Sequence, residues 1–336
     1  MNGEPMLHVG DHKISLDRKE SGSTVDFISH AHTDHISAAK RSNSILASAQ
    51  TIDLLGALGI NASLSSGFLN AELMPAGHIL GSRQLYVNDE DKGTSYLYSG
   101  DFQMQESAAA ESIKTRNADV LIIDSTYPNP GINFGIKDDI ISDVQSWVAS
   151  ALNTGCVLFS AYAMGKAQEL IAVMNEIGIM PVVTKKISTI SSVYRKNGIS
   201  LRYVSAYDGS DYEDILNGDF VGISEQRDIN ELAYRLQTVH KKKFHTAVVT
   251  GFASFMHFDT DAQFNLSDHA DFAQSVDYIN EVSPKQILTY GHNAERFAAN
   301  LSKFGYNATP FSQQSFMFAK QITAMGQKQK TKEYIY

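Results

Sequence analysis

An α/β fold with helices layered against sheets is what this sequence predicts, on three observations. Short apolar runs of strand length alternate with longer segments of helical spacing, behind a leading half rich in strands. Two runs, at 119–123 and 156–159, are almost wholly apolar, as strands covered on both faces are. The chain is 43% hydrophobic and 19% charged, which excludes whole-chain disorder. Its 336 residues suit one large or two moderate domains.

In chain order, residues 12–16 and 25–28 read as strands, and a polar stretch after His35 leads into a helix at 50–58. Residues 85–87 and 94–98 flank the turn Asn88-Asp89-Glu90-Asp91-Lys92-Gly93, a hairpin by its turn chemistry. The run at 119–123 reads as a buried strand. Residues 138–152 carry Ile140, Val144, Trp147 and Ala151 on one helical face. A strand at 156–159, a helix at 165–177 and a strand starting at 181–183 follow. Residues 186–245 are the least informative, with a polar turn at 207–211 and the basic run Lys241-Lys242-Lys243. Residues 247–250 and 286–289 read as strands around a helix at 272–279, and 326–332 as a frayed polar tail.

The formal net charge of −9 excludes a uniformly basic nucleic-acid coat but leaves room for a local groove, for which Lys185-Lys186, the run at 241–243 and the tail lysines are candidates. One cysteine, Cys156, excludes an intramolecular disulfide framework and a Cys-rich zinc ribbon, and fits a reducing compartment. No signal-like segment and no run of 18 apolar residues is present, so a cytoplasmic location without a membrane is expected.

The decisive stretch is His30-Ala31-His32-Thr33-Asp34-His35, directly after the strand at 25–28. Four potential metal ligands lie within it. Imidazoles suit zinc, and a carboxylate compensates charge. A pair of metals about 3.5–4 Å apart would clamp an attacking and a leaving oxygen. The ordinary alternative, a polar loop with incidental histidines, sits poorly with three histidines so placed in a chain that has 11.

HAHTDH resembles the HxHxDH signature of the metallo-β-lactamase superfamily. The resemblance implies a four-layer αββα sandwich with metals at one sheet edge, and further ligands in a fixed order. Asp17, in Ile14-Ser15-Leu16-Asp17, matches the early aspartate that buttresses the histidine loop. His78, in Ala76-Gly77-His78-Ile79-Leu80-Gly81-Ser82, matches the third-motif histidine. Asp101, in Tyr98-Ser99-Gly100-Asp101-Phe102, matches the aspartate that bridges both metals. Each alone reads as a turn or a cap; the ordered set carries the weight.

Within the superfamily the chain resembles the β-CASP branch, whose members cut nucleic acids. Asp124, at the end of Leu121-Ile122-Ile123-Asp124, looks like that branch's strand-end acid. His269, in Leu266-Ser267-Asp268-His269-Ala270-Asp271-Phe272, looks like its later histidine. The segment from Phe159 to Leu170, with Gly165-Lys166-Ala167-Gln168-Glu169, resembles the start of the inserted cap. The resemblance therefore spans nearly the whole chain and is weakest at 186–245. SDHADF, GKAQEL and YSGDF look most like small single-unit members, either ligase-associated DNA exonucleases or mRNA 3′-end-processing-like factors.

The resemblance implies that His30, His32 and His78 hold one metal, that Asp34 and His35 hold a second, and that Asp101 bridges. Asp34, Asp124 and His269 are the catalytic expectation, His269 protonating the departing oxygen and Asp124 orienting it. For His269 alone a surface or helix-cap role is the alternative, and Asp268 and Asp271 could equally be helix caps. The Gly165-Lys166 turn could meet a phosphate at a helix start, or be an ordinary start with a solvated lysine. One departure concerns the second metal. The family often has a His-Gly pair after the last strand, and here Tyr290 stands at the histidine position before Gly291. His292, two residues on, keeps the same side of a continuing strand and is the expected substitute ligand.

The expectation is thus a sandwich from residues 1–137 and 246–336 with a cap at 138–245. It is a zinc-dependent phosphodiesterase with two ions, manganese being an alternative activator. Its substrate is RNA or single-stranded DNA, in RNA 3′-end processing or decay or in DNA repair, with a homodimer left open. The competing readings are a thioester or lactone metallohydrolase of the same sandwich, against which Asp124, His269 and GKAQEL speak, and a non-catalytic processing subunit, against which the intact HxHxDH loop speaks.

Overall fold

The computed structural model describes residues 6–42, 44–65, 71–207 and 218–312. The first half is strand-rich. It runs β1 (Leu7–Val9), β2 (His12–Leu16), β3 (Val25–Phe27), β4 (Ser44–Ile45), α1 (Ala49–Ala57), β5 (Ser63–Leu64), β6 (Ala71–Pro75), β7 (Arg83–Asp89), β8 (Thr94–Tyr98) and β9 (Val120–Asp124). The middle alternates: α2 (Lys137–Leu152), β10 (Cys156–Ser160), α3 (Lys166–Glu176), β11 (Val182–Val183), α4 (Lys185–Lys196), β12 (Val204–Ser205), β13 (Val221–Ser224), α5 (Ile229–His240), β14 (Phe244–Val249), a 3-10 turn (Gly251–Ser254) and β15 (Ala262–Phe264). The last part adds α6 (Phe272–Val282), β16 (Gln286–Tyr290), α7 (Ala294–Lys303) and β17 (Ala308–Pro310).

The strands from 12 to 16 and the hairpin closing at Asp89 opposite Thr94 follow the sequence reading. So do α2 and β10. Strand β6 and helices α4, α5 and α7 were not anticipated. Of the turn at 207–211 only Tyr207 lies among the described residues, and the tail at 326–332 lies outside them.

Strands β1-β2-β3 form one sheet, and β17-β16-β9-β8-β7-β6 form a six-stranded second. Apolar side chains between them, including Leu7, Ile14, Phe27, Leu85, Tyr98, Ile122 and Leu288, make a common core. The opposite face of the six-stranded sheet buries Leu97, Leu121, Ile123 and Ile287 against α6 and α7 through Tyr278, Ile279, Phe297 and Leu301. Beyond the three-stranded sheet, Ile28, Ile36, Ile45 and Leu55 of α1 form a further cluster. Strand β9 is covered on both faces, which accounts for its unbroken apolar run.

The middle of the chain builds a second six-stranded sheet, β12-β11-β13-β10-β14-β15, in which every pairing is parallel. Helices α2, α3 and α4 cover one face through Val144, Val148, Leu170, Ile171 and Ile187, and α5 covers the other. This sheet continues past residue 245 to Phe264. The first cluster also takes in Ala31, Leu54, Ile79 and Leu80, so one apolar seam runs from the strand-rich lobe into the middle lobe. Local chemistry sets the helix starts: Ser48 caps α1, Thr184 caps α4, and Asp271 closes a capping box with Gln274 on α6.

Candidate metal centre

Parallel pairing brings the chemistry to one edge. Strand β2 pairs parallel with β3, β8 with β9, and β9 with β16, so their C-terminal ends lie together. Asp17 follows β2, the His30–His35 stretch follows β3, Asp101 follows β8, and Asp124 ends β9 opposite Tyr290 at the end of β16. Loops leaving such an edge are where open α/β sheets place ligands.

Asp17 holds this edge together. Its backbone is left-handed (φ 62°), a conformation aspartate tolerates better than most residues. Oδ1 accepts from the Ser29 backbone N–H at 2.6 Å. Oδ2 accepts from Ser29 Oγ (2.8 Å), Tyr98 OH (2.7 Å) and His35 Nδ1 (2.8 Å). Ser29 Oγ thus spends its proton on Asp17, and it accepts from His30 Nδ1 at 2.9 Å. These partners place a proton on Nδ1 of both His30 and His35, and both rings turn Nε2 inward.

The other histidines are oriented by backbone carbonyls. His78 Nδ1 donates to Asp268 O at 2.7 Å, and His32 Nε2 donates to Met164 O at 3.2 Å. That leaves His78 Nε2 and His32 Nδ1 as lone pairs facing each other at 3.0 Å. His30 Nε2 is buried with no hydrogen-bond partner, and Asp101 Oδ2 lies 3.6 Å from it and 3.8 Å from His78 Nε2. Imidazole lone pairs crowded on a carboxylate repel one another unless a cation lies among them. The side chains of His30, His32, His78 and Asp101 are a group that could hold a metal ion.

Electrostatics agree with that reading. Burial pushes His30 and His78 well below the usual imidazole range, and His32 down to about 4, so all three are neutral, the form that ligates. Burial raises the Asp101 carboxyl to about 7 against the pull of His35. Burial opposes charge on His35 too, but Asp101 and Asp17 outweigh it and raise it to about 10.

The expected second set is looser. His35 Nε2 lies 3.4 Å from Asp101 Oδ2 and 3.7 Å from Asp34 Oδ2, while Asp34 is 77% exposed. His292 is exposed on the wall of the same cavity, which has a volume of about 620 Å³, and stands outside the close ligand groups found among the described residues. Tyr290 turns its ring to Tyr98 at 5.6 Å and its hydroxyl donates to Leu16 O at 3.1 Å.

His269 and Asp124 do come together, with Nδ1 3.6 Å from Asp124 Oδ2 and 3.9 Å from Asp101 Oδ2. His269 Nδ1 is buried without a hydrogen-bond partner. Asp124 is oriented by the N–H and hydroxyl of Thr126 on Oδ1, at 3.0 and 2.8 Å. His269 is therefore neither a surface histidine nor a helix cap. Of the two aspartates beside it, Asp271 caps α6 and Asp268 does not.

Asp268 instead pairs with Lys166, both side chains being almost wholly buried. Lys166 is thus not the solvated lysine of an ordinary helix start. The run Lys241–Lys243 sits where α5 enters β14, at the N-terminal edge of the parallel sheet and away from the cavity, whereas Lys186 lines the cavity. Sequence reasoning missed Ser29, Tyr98, the Met164 carbonyl and the Lys166–Asp268 pair. Ser29, immediately before His30, and Tyr98, three residues before Asp101, carried a local signal.

No protein-family model matches the chain. Over 299 residues, 84% of its length, it is 28% identical to a probable DNA ligase of Opitutus terrae, covering 28% of that protein. Over 106 residues, 30% of the chain, it is 33% identical to an RNase J-like protein of Methanocaldococcus jannaschii, covering 24% of it. The chain thus spans about a quarter of the length of each relative. A crystal structure of a protein of unknown function from Enterococcus faecalis superposes with a TM-score of 0.54 at 15% identity, over 85% of this chain and 80% of that one, a likeness of fold.

Proposed function

We propose that the chain is a member of the metallo-β-lactamase superfamily, in its β-CASP nuclease branch, and a metal-dependent nuclease hydrolysing phosphodiester bonds of RNA or single-stranded DNA. One observation carries the reading: the lone pairs of His30, His32 and His78 converge on Asp101 beside the His269–Asp124 pair, at the wall of one cavity. In this reading the strand-rich lobe is the αββα sandwich, and the lobe from about residue 138 to Phe264 is the inserted cap. The assigned work is RNA 3′-end processing or decay, or DNA repair, in a reducing cytoplasm. Among the described residues no helix is long and apolar enough to cross a membrane.

His30, His32, His78 and Asp101 would hold one ion, and Asp101, Asp34 and His35, with His292 in reach of the cavity, a second. Zinc is the default for this ligand set and manganese an alternative. When bound, the metal supplies Lewis acidity and an acidified water. The chain's own residues do the rest. Asp17 fixes the ring of His35, and through Ser29 that of His30. His269 delivers a proton to the departing oxygen, and Asp124, 3.6 Å from its Nδ1, keeps the ring aligned for that transfer. Tyr127, packed against His269 with ring centroids 5.9 Å apart, excludes water from one side of it.

The test is incubation of single-stranded RNA and matched DNA, each labelled at either end, with and without a chelator. Chelator-sensitive cleavage of either is the expected result, and the label pattern gives sugar preference and direction. Absence of cleavage of both, with metal bound in full, would overturn the reading in favour of a small-molecule hydrolase or a non-catalytic subunit.

A further inference from the structure

An aromatic row leads outward from His269. Its ring lies 5.9 Å from Tyr127, Tyr127 lies 5.7 Å from Phe252, and Phe252 lies 5.7 Å from Phe255. Tyr127 is buried, while Phe252 and Phe255 are 36% and 53% exposed. The turn presenting Phe252 is held rigidly. Thr250 caps it, and a Cβ on Gly251 would fall 2.5 Å from Tyr127 Oη and 2.9 Å from Ser267 Oγ. Tyr162, from the loop after β10, is a third exposed ring, at 56%. Tyr162, Phe252, Thr33 and Lys186 each line both the main cavity and a neighbouring one of about 830 Å³, so they mark the junction of the two.

Large rings left in water at the junction of two cavities are groups awaiting a flat apolar partner. Resting on the nuclease reading, we propose that this junction is a nucleobase subsite. One base of a single strand lies on Phe252 and Tyr162, and the adjoining phosphate meets the exposed ammonium of Lys186. Beyond Lys186, the second cavity carries three carboxylates, of Glu225, Asp228 and Asp259, against one guanidinium, of Arg227. That acidic excess disfavours a phosphodiester backbone there, so the uncharged base turns inward. Stacking is indifferent to base identity, and it needs a base already out of a duplex. The subsite therefore makes the enzyme selective for single strands without making it sequence-specific.

The test uses the full chain loaded with zinc and a hydrolysis-resistant phosphorothioate oligonucleotide carrying 2-aminopurine at one position at a time. A fluorescence change confined to one position is expected. Phe252→Leu and Tyr162→Leu each abolish it and weaken binding roughly 10-fold or more, while Phe252→Trp retains both, thermal melting confirming that all are folded. Folded leucine variants that bind as tightly with the same fluorescence change would overturn the proposal. An ordinary oligonucleotide run in parallel keeps the two readings apart. A Phe252-dependent signal without hydrolysis leaves the subsite standing and defeats the catalytic reading, and hydrolysis indifferent to both rings does the reverse.

Discussion

Lys166 and Asp268 form a buried ion pair between the middle lobe and the loop that carries His269. Three contacts converge there: Asp268 O takes the proton of His78, Met164 O takes that of His32, and Asp268 Oδ1 lies 3.7 Å from His269 Nε2. The middle lobe is therefore part of what orients the imidazoles. Lys166→Met leaves a buried carboxylate without its cation, which costs about 3–5 kcal/mol. Denaturant unfolding should show that loss, and Lys166→Met combined with Asp268→Asn should recover part of it. Equal stability in the single variant would mean that the pair holds nothing.

Removal of metal should destabilise the folded chain, because the neutral lone pairs of His30, His32 and His78 then face one another uncompensated. A chelator is expected to lower the thermal midpoint and added zinc to restore it, by linkage to the folded state. His32→Ala should abolish both the zinc-dependent shift and hydrolysis.

His269→Ala should slow hydrolysis by about 10²–10⁴-fold while metal content, read by elemental analysis, stays intact. Loss of metal in this variant would reassign His269 from proton donor to ligand.

Asp17→Asn removes the charge that accepts from Ser29, Tyr98 and His35. Losing a partner of this kind typically lowers metal affinity about 10–100-fold, measurable by competition with a chromogenic chelator. Tyr98→Phe removes one of the same bonds and should cost about 1 kcal/mol with metal affinity largely kept.

The three-stranded sheet has its own pH signature in Asp26, on β3. Burial favours its neutral form, but Lys19 Nζ, Ser42, Ser23 and Ser15 all donate to it and hold its carboxyl below the usual value. A depressed folded pKa stabilises the fold above the unfolded carboxylate value, about 3.9. That stabilisation is lost as pH falls through the folded value. The stability difference between the unsubstituted protein and Asp26→Asn should be full at neutral pH and shrink in acid. A gap unchanged down to acid unfolding would show that the charge of Asp26 contributes nothing.

What could be read beforehand follows from how local each signal is. His30, His32, Asp34 and His35 stand in one hexapeptide, and Asp17, His78, Asp101 and Asp124 fall in the order that the family resemblance implies, so matching to that order displays them. The pair Lys166–Asp268 is 102 residues apart and His32–Met164 is 132 apart, and no local pattern links such partners. Strand β12 has two residues, too few for a period to register, and 186–245 stayed opaque although most of α4 and all of α5 lie within it. The site of His292 was inferred from a strand continuing past Tyr290. The strand ends there, and Gly291 turns with a positive φ of 106°, so the period-two argument lost its basis.

The seam of Ala31, Leu54, Ile79 and Leu80 with the helices of the middle lobe bears on how a polymer gets in. Parting the lobes would return those side chains to water at about 1.5–3 kcal/mol for each large one. It would also break the ties from Lys196 and Asn197 on α4 to Asp53 on α1. A jaw that swings open and shuts around its substrate is therefore a poor description. On the nuclease reading, the gap between the lobes is better described as a standing slot, and a strand would be selected by whether it can thread it.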